Sequence, residues 1–340
     1  MKVGVSLFGC RHLDCVTQRL IAWKKKGVDF IVHTVDENDV LFYRGAIRKL
    51  FDRTHGLGLE VWADPWGVAG LFSGETPSWF LLYQPDVWQK RADGLSVPHA
   101  CPNNPLTLEG LKRWVDFVAA AGADWVLWDE PHWYTPSLES EYVPQFIEYL
   151  KEGNSWVCYC SYCKRKFSER HREEIPDILD SAFLSFRTES MIDFLKQVTE
   201  YASLRGLRNA ICCAPPSQIE TTLHVNEVAH LQAVDVIACD PYWFLTNGTI
   251  EDYFSPAVEE LLTVTQDSNK ETQVWLQGFK VPGGREGELL RAADLLIDKG
   301  VDSVAIWYHN EMSALQPADP SALDGVLEVL IKRLMRGHRR

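Results

Sequence analysis

The chain lacks any apolar run approaching the roughly 20 residues that a helix needs to cross a bilayer, so the sequence offers no membrane span. It is also short of positive charge. Against 47 Asp and Glu stand 34 Lys and Arg, a formal charge of −13 over 340 residues. Binding nucleic acid requires a basic stripe to neutralise phosphates, and that partner class is therefore excluded. The basic ending "KRLMRGHRR" reads instead as a helix terminus whose cations complement the dipole. The opening "MKVGVSLFG" has no basic n-region, long apolar h-region or small-residue cleavage site. With nine cysteines and no such leader, the expectation is a reducing, cytoplasmic setting rather than a disulfide framework. A glycine-rich phosphate turn is missing too. "FGCRHLD", after the first strand candidate, has one glycine where a dinucleotide site needs three. There is no internal repeat and no low-complexity linker.

What is present is a regular alternation. Eight short apolar runs read as strands at 3–8, 28–33, 59–64, 124–129, 209–214, 235–240, 273–279 and 302–308. Helical patterns with apolar residues three and four apart lie between them, at 13–26, 40–56, 107–121, 254–268, 286–299 and 321–335. Glycine before several strands marks a helix C-terminus. Eight βα units in this order predict a (β/α)8 TIM barrel, a single domain over 1–340. A doubly wound open sheet is the alternative. Two connections, 65–106 and 130–207, are too long for turns; in a barrel both fall on the face that carries active sites.

The second of these contains "WVCYCSYCKRKF", with Cys158, Cys160 and Cys163. A C-x-C-x-x-C stretch can aim three thiolates at one ion, and Cys101 in "HACPNNP" is the candidate for the fourth ligand of tetrahedral zinc. Four sulfurs leave no open coordination position, so such an ion is structural and staples the two long loops together. The alternative is four unrelated cysteines. Cys10, Cys15, Cys212, Cys213 and Cys239 lie on or beside strand candidates and read as small core residues.

"CPNNP", a strand ending in an acid and then "CYCSYCKRKF" together resemble the family 42 glycoside hydrolases, β-galactosidases with a zinc-stapled barrel. The resemblance covers residues 99–167. It implies that Cys101, Cys158, Cys160 and Cys163 ligate zinc, and it brings an expectation of homo-oligomers.

"WVLWDEPHWY" closes the fourth strand with Asp129, Glu130 and His132, where a barrel places catalytic groups. Trp125, Trp128 and Trp133 are expected to wall the site and raise a carboxyl pKa, as a general acid requires. The resembling family has an Asn-Glu pair here, which implies that Glu130 is the acid/base; Asp129 stands where that family has asparagine. The family's nucleophile glutamate ends the seventh strand, where this chain has Gln277, an amide that can orient a group but cannot attack. For a second carboxylate Asp240 in "ACDPYW" is the first choice. Glu37 or Asp36 follows, in a segment where Asn38 or Asp39 is the expected cap of helix 40–56, and then Glu311 and Glu75.

Thirteen tryptophans give the chain material for sugar-stacking platforms. Trp66, Trp79, Trp133, Tyr242, Trp243 and Trp307 are expected around the mouth, with Asp64, Asp129, His132, Gln277, His309 and Arg11 contacting hydroxyls. An acidic, aromatic mouth suits a small neutral carbohydrate. The expected function is glycosidic-bond cleavage with Glu130 as acid/base. Two alternatives remain: a barrel enzyme holding a second metal on Asp64, Glu130, Asp240 and His309, and a sugar-binding barrel without catalysis. "VPGGRE" with Arg285 offers a phosphate turn as a minor option.

Overall fold

The computed structural model describes residues 1–9, 11–74, 76–134, 156–215, 223–308 and 320–337. Ten strands occur in it: β1 (Lys2–Leu7), β2 (Phe30–Thr34), β3 (Glu60–Asp64), β4 (Trp88–Lys90), β5 (Ser96–Ala100), β6 (Trp125–Asp129), β7 (Arg208–Cys213), β8 (Val236–Cys239), β9 (Glu271–Gly278) and β10 (Ser303–Tyr308). All but β4 and β5 form one closed parallel barrel in the order β1-β10-β9-β8-β7-β6-β3-β2. The closure is in register, with Lys2 opposite Ser303 and Gly4 opposite Phe30. This is the expected (β/α)8 architecture, every barrel strand lying within a few residues of its sequence position.

Side chains alternate along each strand and make two cores. One fills the barrel: Phe30, Val32, Trp62, Trp125, Leu127, Ala210, Cys212, Val236, Ala238, Trp275, Ala305 and Trp307. Trp62 is sandwiched there between Phe30 at 4.6 Å and Trp125 at 4.4 Å, and Arg208 lies 3.9 Å over Trp125. So much ring volume requires a gap in the neighbouring strand. Gly4 supplies it, since a Cβ there would sit 2.0 Å from the Phe30 ring. The second core packs the outward strand faces against the helices.

Helix Leu13–Lys26 ends at Gly27 with φ 102°, a left-handed position that glycine occupies without the Cβ penalty. The expected helix 40–56 is instead two, Glu37–Leu41 and Arg44–His55. Asp36, not Asn38 or Asp39, is the cap: its side chain accepts from the Asp39 amide while Asp39 answers the Asp36 amide. The break follows from Phe42 and Tyr43, which are 63% and 50% exposed and leave the intervening turn nothing apolar to bury.

The 65–106 connection contains a short helix, Trp79–Tyr83, and the antiparallel β4–β5 hairpin. The hairpin reaches across to the other long connection, where Arg91 bridges Val157 and the Tyr159 amide donates to the Lys90 carbonyl at 2.8 Å. Beyond that junction come two helices, Ser161–His171 and Ser181–Leu204.

Candidate active site and metal centre

The β6 end turns sharply. Glu130 has φ 39°, a left-handed conformation that an ordinary side chain adopts only when its surroundings enforce it. Its amide donates to the Cys212 carbonyl of β7 at 3.0 Å, and the Ser73 amide donates to the Asp129 carbonyl at 3.2 Å. The Glu130 carbonyl faces His132 Nδ1 at 2.7 Å, so that nitrogen carries the proton. Burial also lowers the His132 pKa, which keeps its imidazole neutral at pH 7. The Glu130 carboxyl accepts a hydrogen bond from the Ser73 hydroxyl and lies within Coulomb range of the Asp240 carboxyl beyond the end of β8.

Four acids converge here. Asp240 is held well above the usual carboxylate range, chiefly by burial and then by the Glu130 and Asp129 charges. Asp129 is raised by burial and by Glu130, opposed by a hydrogen bond with the Cys212 thiol. Asp64, at the end of β3, is raised by burial and by Asp129, and neither of its oxygens has a hydrogen-bond partner among the described residues. Neighbouring buried carboxyl groups cannot all ionise cheaply, and protons are therefore retained in this cluster at neutral pH. Rings close around it. Trp66 stacks on Trp307 at 5.2 Å with Phe8 edge-on to Trp66 at 4.7 Å, and Tyr242 meets Phe279 edge-on at 5.2 Å.

Other sequence expectations change. The three-indole wall is dispersed: Trp125 stacks on Trp62 inside the barrel, Trp128 packs outward near Phe72 and Trp114, and Trp133 lies over Arg187. Trp243 is not at the mouth but fully buried in the outer core, its Nε1 donating to Glu288 at 2.9 Å. Arg11 is not free for a ligand, because its guanidinium pairs with Asp39. Glu37 anchors a loop rather than offering a second carboxylate. It accepts from the Ala69 amide at 3.0 Å, the Ser78 hydroxyl at 2.6 Å and the Phe80 amide at 2.6 Å. Gln277 does lie on the inward face of β9, but both ends of its amide are engaged. Oε1 accepts from the Phe244 amide at 3.2 Å and Nε2 donates to the Phe279 carbonyl at 3.0 Å. Arg285 pairs with Glu288, which removes the phosphate option. Glu75, His309 and Glu311 lie outside the described residues. Ser73 and Cys212 were missed by sequence reasoning; a lone serine in a 42-residue connection carries no spacing signal.

The four cysteines, by contrast, meet. The sulfurs of Cys101, Cys158, Cys160 and Cys163 lie within 4.8 Å of one another, all buried, and none is in a disulfide. Cys101 is 3.4 Å from Cys163 and 3.5 Å from Cys160. A tetrahedral ion with bonds of about 2.3 Å to sulfur requires sulfur separations of about 3.8 Å, so the donor set fits zinc in size, number and softness. The Asn103 amide donates to the Cys163 sulfur at 3.2 Å and is itself held by Lys166 at 2.6 Å. Among the described residues no other group of three or more His, Cys, Asp or Glu has metal-binding geometry, and the second-metal alternative finds no support in them.

No family model matches the chain, and no curated protein matches it in sequence. Solved structures do resemble it. The endo-1,4-β-mannanase of Rhizomucor miehei superposes with a TM-score of 0.64 at 9% identity, over 100% of this chain and 95% of that one. The endo-β-1,4-mannanase of Thermotoga petrophila gives 0.59 at 9% identity, over 98% and 76%. A D-psicose 3-epimerase gives 0.51 at 10% identity, over 100% and 98%. The chain has the fold of these barrel enzymes. At such identity the likeness is one of fold, and barrels of one shape host many chemistries.

Proposed function

We propose that the chain is a glycoside hydrolase acting on a small neutral carbohydrate, with Glu130 and Asp240 as its working pair and a structural zinc on the four cysteines. The observation that carries this reading is the convergence of buried carboxyls at the C-terminal mouth of the barrel, where Glu130 at the end of β6 and Asp240 beyond β8 stand close enough for the Glu130 charge to raise Asp240. Hydrolysis of a glycosidic bond needs one carboxyl that gives a proton and one that acts as base or nucleophile. Burial and the neighbouring carboxylate charges keep a proton on Asp240, while Glu130 accepts from Ser73. Asp240 is thus a resting proton donor, and Glu130 is the second carboxyl of the pair, to act as base or nucleophile. Retaining pairs stand about 5 Å apart and inverting pairs further. Asp64 has the free lone pairs to take sugar hydroxyls, and Trp66 and Trp307 the rings to stack on a sugar face. The neutral sugar and the zinc agree with the family 42 resemblance; the carboxylate roles depart from it, since that family has its acid/base in the place of Glu130 and its nucleophile in the place of Gln277. Zinc saturated by four sulfurs would fix the long loops and take no part in bond cleavage.

The test is turnover on a panel of aryl glycosides, then Glu130→Gln and Asp240→Asn on whichever substrate responds. Each variant is expected to lose about 10²–10⁴-fold in kcat, the range for removing an acid or base. Full activity in either variant refutes the pair. Sugar binding by calorimetry without turnover on any substrate establishes a binding barrel instead.

A further inference from the structure

The long helix Ser181–Leu204 buries one cation. Arg187 is 1% exposed, and none of its Nε, Nη1 and Nη2 atoms has a hydrogen-bond partner among the described residues. The indoles of Trp133 and Trp156 lie 5.4 and 5.7 Å from its guanidinium carbon, and the Arg187 carbonyl accepts from Trp133 Nε1 at 3.2 Å. Ring faces offset part of the lost hydration, but a desolvated charge still calls for an anion. Burial lowers the Arg187 pKa to about 10, which leaves it fully charged at neutral pH. Trp156 is two positions before Cys158, so its ring contact sets Arg187 against the ligand loop; among the described residues the groups that favour its charge are Cys158, Cys163 and Tyr159, and the Tyr159 hydroxyl donates to the Pro176 carbonyl at 2.8 Å.

As thiols, the cysteines would leave Arg187 without a counter-charge among the described residues. As thiolates around a divalent ion they supply one: four negative sulfurs and two positive charges leave −2, and Arg187 brings the buried unit to −1. We propose that Arg187 is the counter-ion of the four-cysteine centre, a positioning residue that stabilises the thiolate, metal-holding state and is itself tolerated only beside it. The inference rests on reading the cysteines as metal ligands. It adds a charge partner contributed by the helix that follows the ligand loop, from a position 24 residues beyond Cys163. Asn103 and Lys166 form a second polar contact on the Cys163 side, but Lys166 also pairs with Asp193 at 3.1 Å and so delivers little net charge.

The experiment compares wild type, Arg187→Met and Arg187→Lys, each with zinc and after stripping by chelator. Zinc stoichiometry of the wild type comes first, with cobalt replacement read by its thiolate charge-transfer band. No bound ion and no band remove the metal reading, and the counter-ion with it. Given a bound ion, chelator competition is expected to show zinc held about 10–100-fold more weakly in Arg187→Met, the usual effect of losing an outer-shell partner, and nearly unchanged in Arg187→Lys. Melting should reverse sign: Arg187→Met lowers the Tm of the zinc form and raises that of the stripped form, where the lone cation is a liability. A shift of the same sign and size in both forms shows plain packing and overturns the proposal. If Arg187→Met yields no folded protein, Arg187→Lys decides alone: retained zinc supports the charge role, and loss as complete as stripping overturns it.

Discussion

Replacing Glu37 separates a loop anchor from a catalytic acid. Its carboxylate takes three hydrogen bonds from the 66–80 segment, two from backbone amides and one from the Ser78 hydroxyl, at 2.6 to 3.0 Å in a buried setting. That segment needs an anchor because its backbone is unusual, with left-handed φ at Gly67, Ala69, Gly70 and Gly74. It also carries Ser73 to the Glu130 carboxyl. In Glu37→Gln one oxygen can keep the Ala69 and Ser78 bonds, but an amide nitrogen then faces the Phe80 N–H. One buried donor left unsatisfied costs about 1–3 kcal/mol. In Glu37→Ala all three donors lose their acceptor, and about 2–6 kcal/mol is expected once the hydroxyl has turned to another partner. With an unfolding entropy of about 2.1 cal/mol/K per residue over 340 residues, each kcal/mol moves the Tm by about 1.4 °C. The expected falls are therefore about 1.5–4 °C for Glu37→Gln and about 3–8 °C for Glu37→Ala, by calorimetry. Limited proteolysis should find new cleavage within 66–80, while kcat falls far less than in Asp240→Asn. A Glu37→Gln protein with wild-type Tm and an uncut loop, but with activity abolished, would refute the anchor and restore Glu37 as a catalytic carboxylate.

The buried acids predict a pH-dependent gain. Asp64 has its pKa raised in the fold, so the folded state binds the extra proton and its contribution declines as pH rises above the unfolded value of about 3.9. Asp64→Asn should thus be more stable at pH 7, by about 0.5–2 kcal/mol in denaturant titrations, with activity reduced; an equal gain at pH 3.5 would contradict the charge explanation. Two buried histidines act in the other direction. His33 and His99 are lowered to about 3, mainly by burial, against about 6.5 unfolded, so each removes up to about 1.4 kcal/mol per pH unit as pH falls from 6.5 toward 3. His33→Gln should flatten that slope, and an unchanged slope assigns acid lability elsewhere. Gln277→Glu would place a carboxylate against the Phe279 carbonyl, costing about 1–3 kcal/mol and raising no rate; a gain in turnover would show that the β9 position is still a nucleophile's seat.

The barrel was legible because its strands are short apolar runs between amphipathic helices, a local pattern that burial makes nearly obligatory. The cysteine cluster was legible for a related reason: C-x-C-x-x-C brings three sulfurs together through the chain itself, and Cys101 lay in the other long loop of the same face. Glu130 and Asp240 were placed by the rule that barrel strand ends face the site. The errors concern groups whose role depends on distant partners. Glu37 looks like a free acid after a strand until Ala69, Ser78 and Phe80 close on it. Trp243 looks like a mouth aromatic until Glu288 takes its indole N–H.

The sequence by itself determined the order of the βα units, the ends of the strands and the gathering of the three C-x-C-x-x-C sulfurs, since periodicity and short-range spacing act within a few turns of chain; the fold brings Cys101 to them. Only the tertiary structure decided which carboxyls converge, that Ser73 rather than an indole wall adjoins Glu130, and that Gln277 and Glu37 are braces. Hydrogen bonds and Coulomb coupling depend on ångström separations between residues 30 to 110 positions apart, and only the closed barrel fixes those separations.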